Sequence, residues 1–179
     1  MNKTHQITIG SITRELPIRE VAPGVSVALF NPLGDWQLTE AAGQELAKLI
    51  PAGTEALVMP DGKAQALLHV LGRVSGLPTY VARKEFKPYM SQPVASVAVK
   101  SITTQKMQEL YLGNEDAEQL RGKVIAIVDD VVSSGGTLKA MQQLLEQIGA
   151  KQTAIMAVFT EGSARPEVIA LGHLPLYLT

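Results

Sequence analysis

The chain has 179 residues, 46% of them apolar and 18% charged, with a formal net charge of −1. That is enough apolar chain for one domain with a substantial core and excludes a disordered segment, while the near-zero charge excludes whole-molecule attraction to nucleic acid or an anionic membrane. The absence of cysteine excludes disulfides and thiolate chemistry. The first residues, MNKTHQITIG, hold no signal-like apolar stretch, and no apolar run nears the roughly 20 residues of a membrane helix, so a soluble cytoplasmic protein is expected.

The first thirty-odd residues carry short β-like pieces, QITIG, RELPIRE and VSVALF, punctuated by Pro17, Pro23, Gly24, Pro32 and Gly34. From Trp36 onward helical and apolar segments alternate. Thr39 is placed to cap TEAAGQELAKLI, whose Ala42, Leu46, Leu49 and Ile50 share a face, with Pro51 as the stop. EALVM (55–59) reads as a buried strand. A helix with Leu67, Val70, Leu71 and Val74 on one face then runs to Gly76. PTYVA (78–82) and VASVAV (94–99) read as strands. KVIAIV leads into a helix bearing Leu138, Met141, Leu144, Leu145 and Ile148, with Gly149 as its C′ residue. TAIMAVF (153–159) is another buried strand and LPLYL a last one. Strands apolar on both faces between amphipathic helices define an α/β fold with a mostly parallel central sheet. Ligands of such sheets bind beyond the carboxyl ends of the strands.

One stretch at such an end carries chemistry. In VIAIVDDVVSSGGTL (124–138), a buried strand runs into Asp129 and Asp130, then Ser133, Ser134, Gly135, Gly136 and Thr137. A turn needs one Asp and one Gly; it does not need two carboxylates followed by a run of only Ser, Gly and Thr. Small residues at a helix start let a phosphate reach unpaired amides, and the hydroxyls add donors. Two aspartates suit sugar hydroxyls or a hydrated magnesium ion (Mg2+). No Gly-Lys-Ser/Thr follows the strand, so this is not a Walker A loop.

The stretch resembles the phosphoribosyl-pyrophosphate (PRPP) signature of type I phosphoribosyltransferases, and every position from Ile125 to Thr137 fits it. Further segments are similar to adenine phosphoribosyltransferases: PGVSVALFNPL to a base-side segment, VMPDGKAQALLHVLGRVSGLP to a pyrophosphate loop and its helix, ARKEFKPYM to a basic stretch, and VKSITTQKMQELYLG to a mobile loop that closes over the site. The resemblance implies an N-terminal hood (1–35) on a phosphoribosyltransferase core (36–179).

It also implies an activity: a purine, adenine first, displaces pyrophosphate from carbon 1 of PRPP to give a nucleoside 5′-monophosphate, a purine-salvage reaction. By the same likeness Ser133 to Thr137 hold the 5′-phosphate. Asp129 and Asp130 hold the ribose hydroxyls and, through water, Mg2+. Asp61, Gly62 and Lys63, with Arg83, Lys84 and Lys87, take the pyrophosphate, and Lys106 approaches it from a closing loop at Lys100 to Leu110. A homodimer is implied, because the basic stretch of related dimers reaches the neighbouring site. No nucleic-acid or membrane partner is expected.

The base side departs from the adenine pattern. Thr103 stands where a lid glutamate is usual, and Phe30-Asn31-Pro32 replaces Phe-Arg-Asp. Phe30 stacks on a purine or packs in the core; Asn31 pairs with the purine edge or turns the chain before proline. Glu161, after a strand end, is a further candidate to face the base. Trp36 suits packing or subunit contact, and His5, His69 and His173 are isolated. Transferases for hypoxanthine, guanine or xanthine, and a non-catalytic PRPP sensor, are the alternatives; an orotate enzyme fits the segment order less well.

Overall fold

The computed structural model describes residues 3–90, 95–100 and 107–178. Three strands come first: β1 (Thr4–Ile9), β2 (Ile12–Ala22) and β3 (Val25–Ala28). All pair antiparallel, with Ile9 opposite Ile12 across the first turn. Alternation puts Ile7, Ile9 and Leu16 in the core while their neighbours face outward.

Helix α1 (Trp36–Ala47) and helix α2 (Gln65–Ser75) flank strand β4 (Ala56–Pro60), which is buried at all five residues. The two helices lie close because Gly43 has no side chain; a Cβ there would collide with Val70. Strand β5 (Thr79–Ala82) follows, then an antiparallel hairpin of β6 (Ala95–Lys100) and β7 (Met107–Leu112). After the short α3 (Asn114–Leu120) come β8 (Val124–Val132), α4 (Gly136–Gln147), β9 (Lys151–Glu161), β10 (Val168–Leu174) and β11 (Leu176–Leu178).

The central sheet has the order β10-β9-β8-β4-β5, and every pairing is parallel. This is the expected α/β fold. One apolar cluster lies on the α1/α2 side with Leu46, Leu57, Leu71, Val128 and Met156. The other lies on the α4 side with Val58, Ile125, Ile127, Met141 and Leu144. In chain order the sheet grows from β4 to β5, then reverses to place β8 on the other side of β4. Neighbouring strands that leave in opposite directions open a crevice at their carboxyl ends. The residues just after β4 and at the end of β8 therefore face each other.

Several elements differ from the sequence reading. Helix α1 starts at Trp36, not Thr39: Asp35 caps it, its side chain accepting from the Leu38 amide, while the Thr39 hydroxyl donates back to the Asp35 carbonyl at 2.9 Å. The helix ends at Ala47, so Leu49 lies beyond it, exposed; Val74 is exposed as well. Strand β6 does not join the parallel sheet but pairs with β7, and β7 hooks antiparallel onto the chain after β5 through reciprocal Arg83–Tyr111 backbone bonds of 2.8 Å. Lys100 and residues 107–110, read as part of a closing loop, are thus strand ends. LPLYL is split by Pro175. Leu174 ends β10 in the main sheet, while β11 pairs with β3 and completes the N-terminal sheet. The α4 reading holds, down to Gly149 with φ 72°.

Candidate active site

At the switch point, Asp61-Gly62-Lys63 after β4 and Asp129-Asp130 on β8 line one cleft of about 540 Å3. Phe30, Lys84, Ser133, Thr137 and Glu161 line it too. The hood thus closes one wall, and β4, β8 and β9 supply the floor.

The two aspartates stay inside the β8–β9 ladder, Asp129 opposite Ala157. Successive strand residues point to opposite faces. Ala126 and Val128 pack on the α1/α2 side, and Ile125 and Ile127 on the α4 side. The alternation carries Asp130 to the first side, towards Lys63, and Asp129 to the second, where it also lines the small cavity of the following loop. Two acids adjacent in sequence are tolerable because Lys63 compensates Asp130 while Asp129 is pushed towards its neutral form.

Their surroundings differ accordingly. Lys63 Nζ stands 3.3 Å from Asp130 Oδ2 and donates to the Phe30 carbonyl at 2.7 Å. That Oδ2 is buried and has no hydrogen-bond partner, so its compensation is the lysine charge. Burial, then the charge of Asp130, pushes the Asp129 carboxyl up to about 8; Lys84 pulls it the other way. Oδ1 of each aspartate accepts a backbone amide, from Asp130 and Val131 respectively, which fixes both rotamers.

The loop Ser133–Thr137 encloses a cavity of about 60 Å3 at the start of α4. Gly135 has φ 81° and leads directly into the helix, a conformation that L side chains rarely adopt. No side chain caps α4, so its first amides are free to meet an anion. Behind the loop lies a residue that sequence reasoning missed. Arg165, in the β9–β10 connection, donates from Nε (3.0 Å) and Nη2 (2.7 Å) to the Ser133 carbonyl. An arginine in GSARPE carries no periodic or motif signal that would have found it.

Of the basic stretch, Lys84 lies in the cleft. Arg83 lines a separate hollow of about 350 Å3 with Tyr80, Tyr89 and Asp116, and Lys87 is paired with Glu85 at 2.6 Å. Phe30 is 3% exposed and edge-on to Phe159, with ring centroids 5.1 Å apart, so it packs in the core even as it lines the cleft. Asn31 is exposed and its Oδ1 accepts from the Leu33 amide, a turn-forming bond. Glu161 ends β9 in the cleft; burial raises its pKa, and Lys63 and His173 oppose the shift. His173 meets the Thr160 hydroxyl at 2.9 Å and His5 the Tyr177 hydroxyl at 2.8 Å, while His69 is exposed. Trp36 is 73% exposed. Lys106 and Thr103 lie outside the described residues.

Among the described residues no three His, Cys, Asp or Glu side chains converge to hold a metal. The donor set of Asp129 and Asp130, hard oxygens with one buried and unpartnered, fits a magnesium ion that takes its remaining ligands from substrate and water.

Residues 39–171 match the family described as phosphoribosyl transferase domain. The chain belongs to that family. A protein of Haloterrigena turkmenica named HGPRTase-like protein 3 is 34% identical over 108 residues, covering 59% of this chain and 53% of that one. The hypoxanthine/guanine phosphoribosyltransferase of Methanosarcina mazei is 27% identical over 162 residues, 90% of this chain and 77% of its own. The chain spans about half to two thirds of the length of several such relatives. Among solved structures, the APRTase from Giardia lamblia complexed with 9-deazaadenine superposes with a TM-score of 0.64 at 16% identity, covering 95% of this chain and 93% of that one.

Proposed function

We propose that this protein is a purine phosphoribosyltransferase, joining a free purine to the ribose 5-phosphate unit of PRPP and releasing pyrophosphate. The observation that carries the reading is the cleft at the β4–β8 switch point. It sets a cationic loop, two adjacent acids and an uncapped helix start side by side. In this reading Ser133 to Thr137 take the 5′-phosphate, and Asp129 and Asp130 the ribose hydroxyls. Asp61, Gly62 and Lys63 with Lys84 take the pyrophosphate, and Lys106 joins them from the β6–β7 connection. Magnesium, when bound, neutralises charge on the pyrophosphate, and Asp129 and Asp130 hold it, through water.

The chemistry asks for little beyond this. As the bond at carbon 1 stretches, positive charge grows on the sugar and negative charge on the departing group. Fixed cations aimed at that group stabilise the transition state more than the ground state. Phe30 and its neighbours on β3 exclude water from the base side. Arg83 and Lys87 fall outside this chain's own cleft, which suits a homodimer in which they reach the neighbouring one.

For the base, relatives named for hypoxanthine and guanine favour a 6-oxopurine. Adenine is the second reading, supported by the N-terminal segment and by likeness of fold along nearly the whole chain. The test is pyrophosphate release from PRPP and magnesium with adenine, hypoxanthine, guanine, xanthine and orotate offered one at a time. Release with a purine supports the reading and names the base. No release with any base, while PRPP binds, overturns it in favour of a sensor.

A further inference from the structure

Arg165 plays no part in the cleft itself: it stands behind the Ser133–Thr137 loop, on the connection between β9 and β10. Its Nε and Nη2 both donate to the Ser133 carbonyl, at 3.0 and 2.7 Å, while Nη1 reaches Glu167 at 3.5 Å. The guanidinium lies flat under Gly135. A Cβ built there would stand 3.0 Å from Nη1, 3.1 Å from Nη2 and 3.3 Å from Cζ. The glycine therefore serves two ends, the left-handed turn and the close approach of the arginine.

The peptide unit gives this contact a direction. The bond from Ser133 to Ser134 is planar and trans, so the Ser133 carbonyl and the Ser134 amide point opposite ways. Two charge-assisted bonds that hold the carbonyl towards Arg165 turn the Ser134 amide to the side away from it, and Ser134 is among the residues that line the small cavity of the loop. A fixed positive charge also remains beneath the loop, where it adds to the field of the α4 start.

We infer that Arg165 is a positioning residue for the anion-binding loop. It presets the Ser133–Gly135 backbone for a phosphate monoester and does not touch the ligand itself. The inference rests on the assignment of this loop to the 5′-phosphate proposed above.

The experiment is calorimetric titration of the full chain with two probes, ribose 5-phosphate for this loop and inorganic pyrophosphate with magnesium for the Lys63 side. Arg165→Met keeps the stem and removes the donors; Arg165→Lys keeps the charge and loses the fork. Arg165→Met is expected to weaken ribose 5-phosphate about tenfold and leave pyrophosphate unchanged, with Arg165→Lys between the two. Wild-type affinity for ribose 5-phosphate in Arg165→Met overturns the inference and leaves the proposed function standing. Equal loss of both probes with a lowered melting temperature also overturns it, since the role is then general support. Failure of the wild-type chain to bind ribose 5-phosphate overturns the loop assignment, and the inference with it.

Discussion

Lys63 reaches Asp130 at 3.3 Å and at the same time holds the Phe30 carbonyl at 2.7 Å, so one ammonium group ties the β4 loop, the β8 end and the hood together. Its removal leaves the buried Asp130 Oδ2 without a countercharge. Lys63→Met is expected to lower stability by about 1–2 kcal/mol, below the 3–5 kcal/mol of a fully buried pair, because the lysine side chain is 37% exposed. It is also expected to cut kcat/KM for PRPP by roughly a hundredfold, as loss of a cation aimed at the leaving group should. Denaturant melts and initial rates check both. Unchanged turnover in a folded variant would remove Lys63 from the pyrophosphate site.

Asp130→Asn separates folding from function. The amide is nearly the same size and keeps an acceptor for the Val131 amide, so folding loses only the Lys63 ion pair at 3.3 Å, about 1 kcal/mol for a partly exposed lysine. The melting temperature should hold within a few degrees. Productive PRPP binding should fall by about a hundredfold or more, because the ribose hydroxyls and the cation lose their charged acceptor. Wild-type turnover in this variant would sink the assignment of the site.

Glu161 tests the base side. It lines the cleft near Lys63 and His173, and burial raises its pKa. Glu161→Gln is expected to lower kcat/KM for the preferred purine about tenfold and to leave the KM for PRPP within about threefold. A stability readout follows from the sign of the shift. A carboxyl whose folded pKa is raised keeps its proton in the native state after the unfolded chain has lost it, so it draws stability down as pH rises above the ordinary 4.5. Between about pH 4 and pH 7 the wild type should lose ground relative to Glu161→Gln. Parallel stability curves would show that Glu161 is not desolvated.

The motif around Asp129 was legible because strand, acids and small-residue loop are contiguous, and contiguity is what a sequence displays. The apolar runs of β4, β8 and β9 were legible for the same reason. What depends on distant partners was not. Strand β7 shows its alternation only at Leu110 and Leu112, buried on either side of Tyr111, after the polar pair Gln108-Glu109. Helix α3 is seven residues long and buries only Ala117 and Leu120, too short a pattern to announce a period. Strand β11 is three residues whose place is set by β3, some 150 residues earlier in the chain. Arg165 acquires its meaning from Ser133, 32 positions away. The cap of α1 is a local miss: Asp35 and Thr39 are both good caps, and Arg14 from β2 decides between them by pairing with Asp35.

That last pair sets a pH dependence opposite to that of Glu161. Arg14 Nε stands 2.6 Å from Asp35 Oδ2, and Asp35 Oδ1 accepts the Leu38 amide at 3.1 Å. Hydrogen bonding from Arg14 lowers the Asp35 pKa below its ordinary 3.8, against the cost of burial, with the Leu38 bond helping. A lowered folded pKa means stability that is present above pH 3.8 and is lost as pH falls through the folded value. Asp35→Ala removes cap and charge together and should cost about 1 kcal/mol near neutral pH. Asp35→Asn keeps an acceptor for Leu38 and loses only the ionised partner of Arg14. Its deficit should therefore be smaller, visible near pH 7, and shrink towards pH 2–3 as the wild-type carboxyl takes up its proton. Urea melts of the wild type and both variants across that range decide it. A deficit of Asp35→Asn that stays constant with pH would mean that the Arg14 pair contributes through packing of its stem rather than through charge.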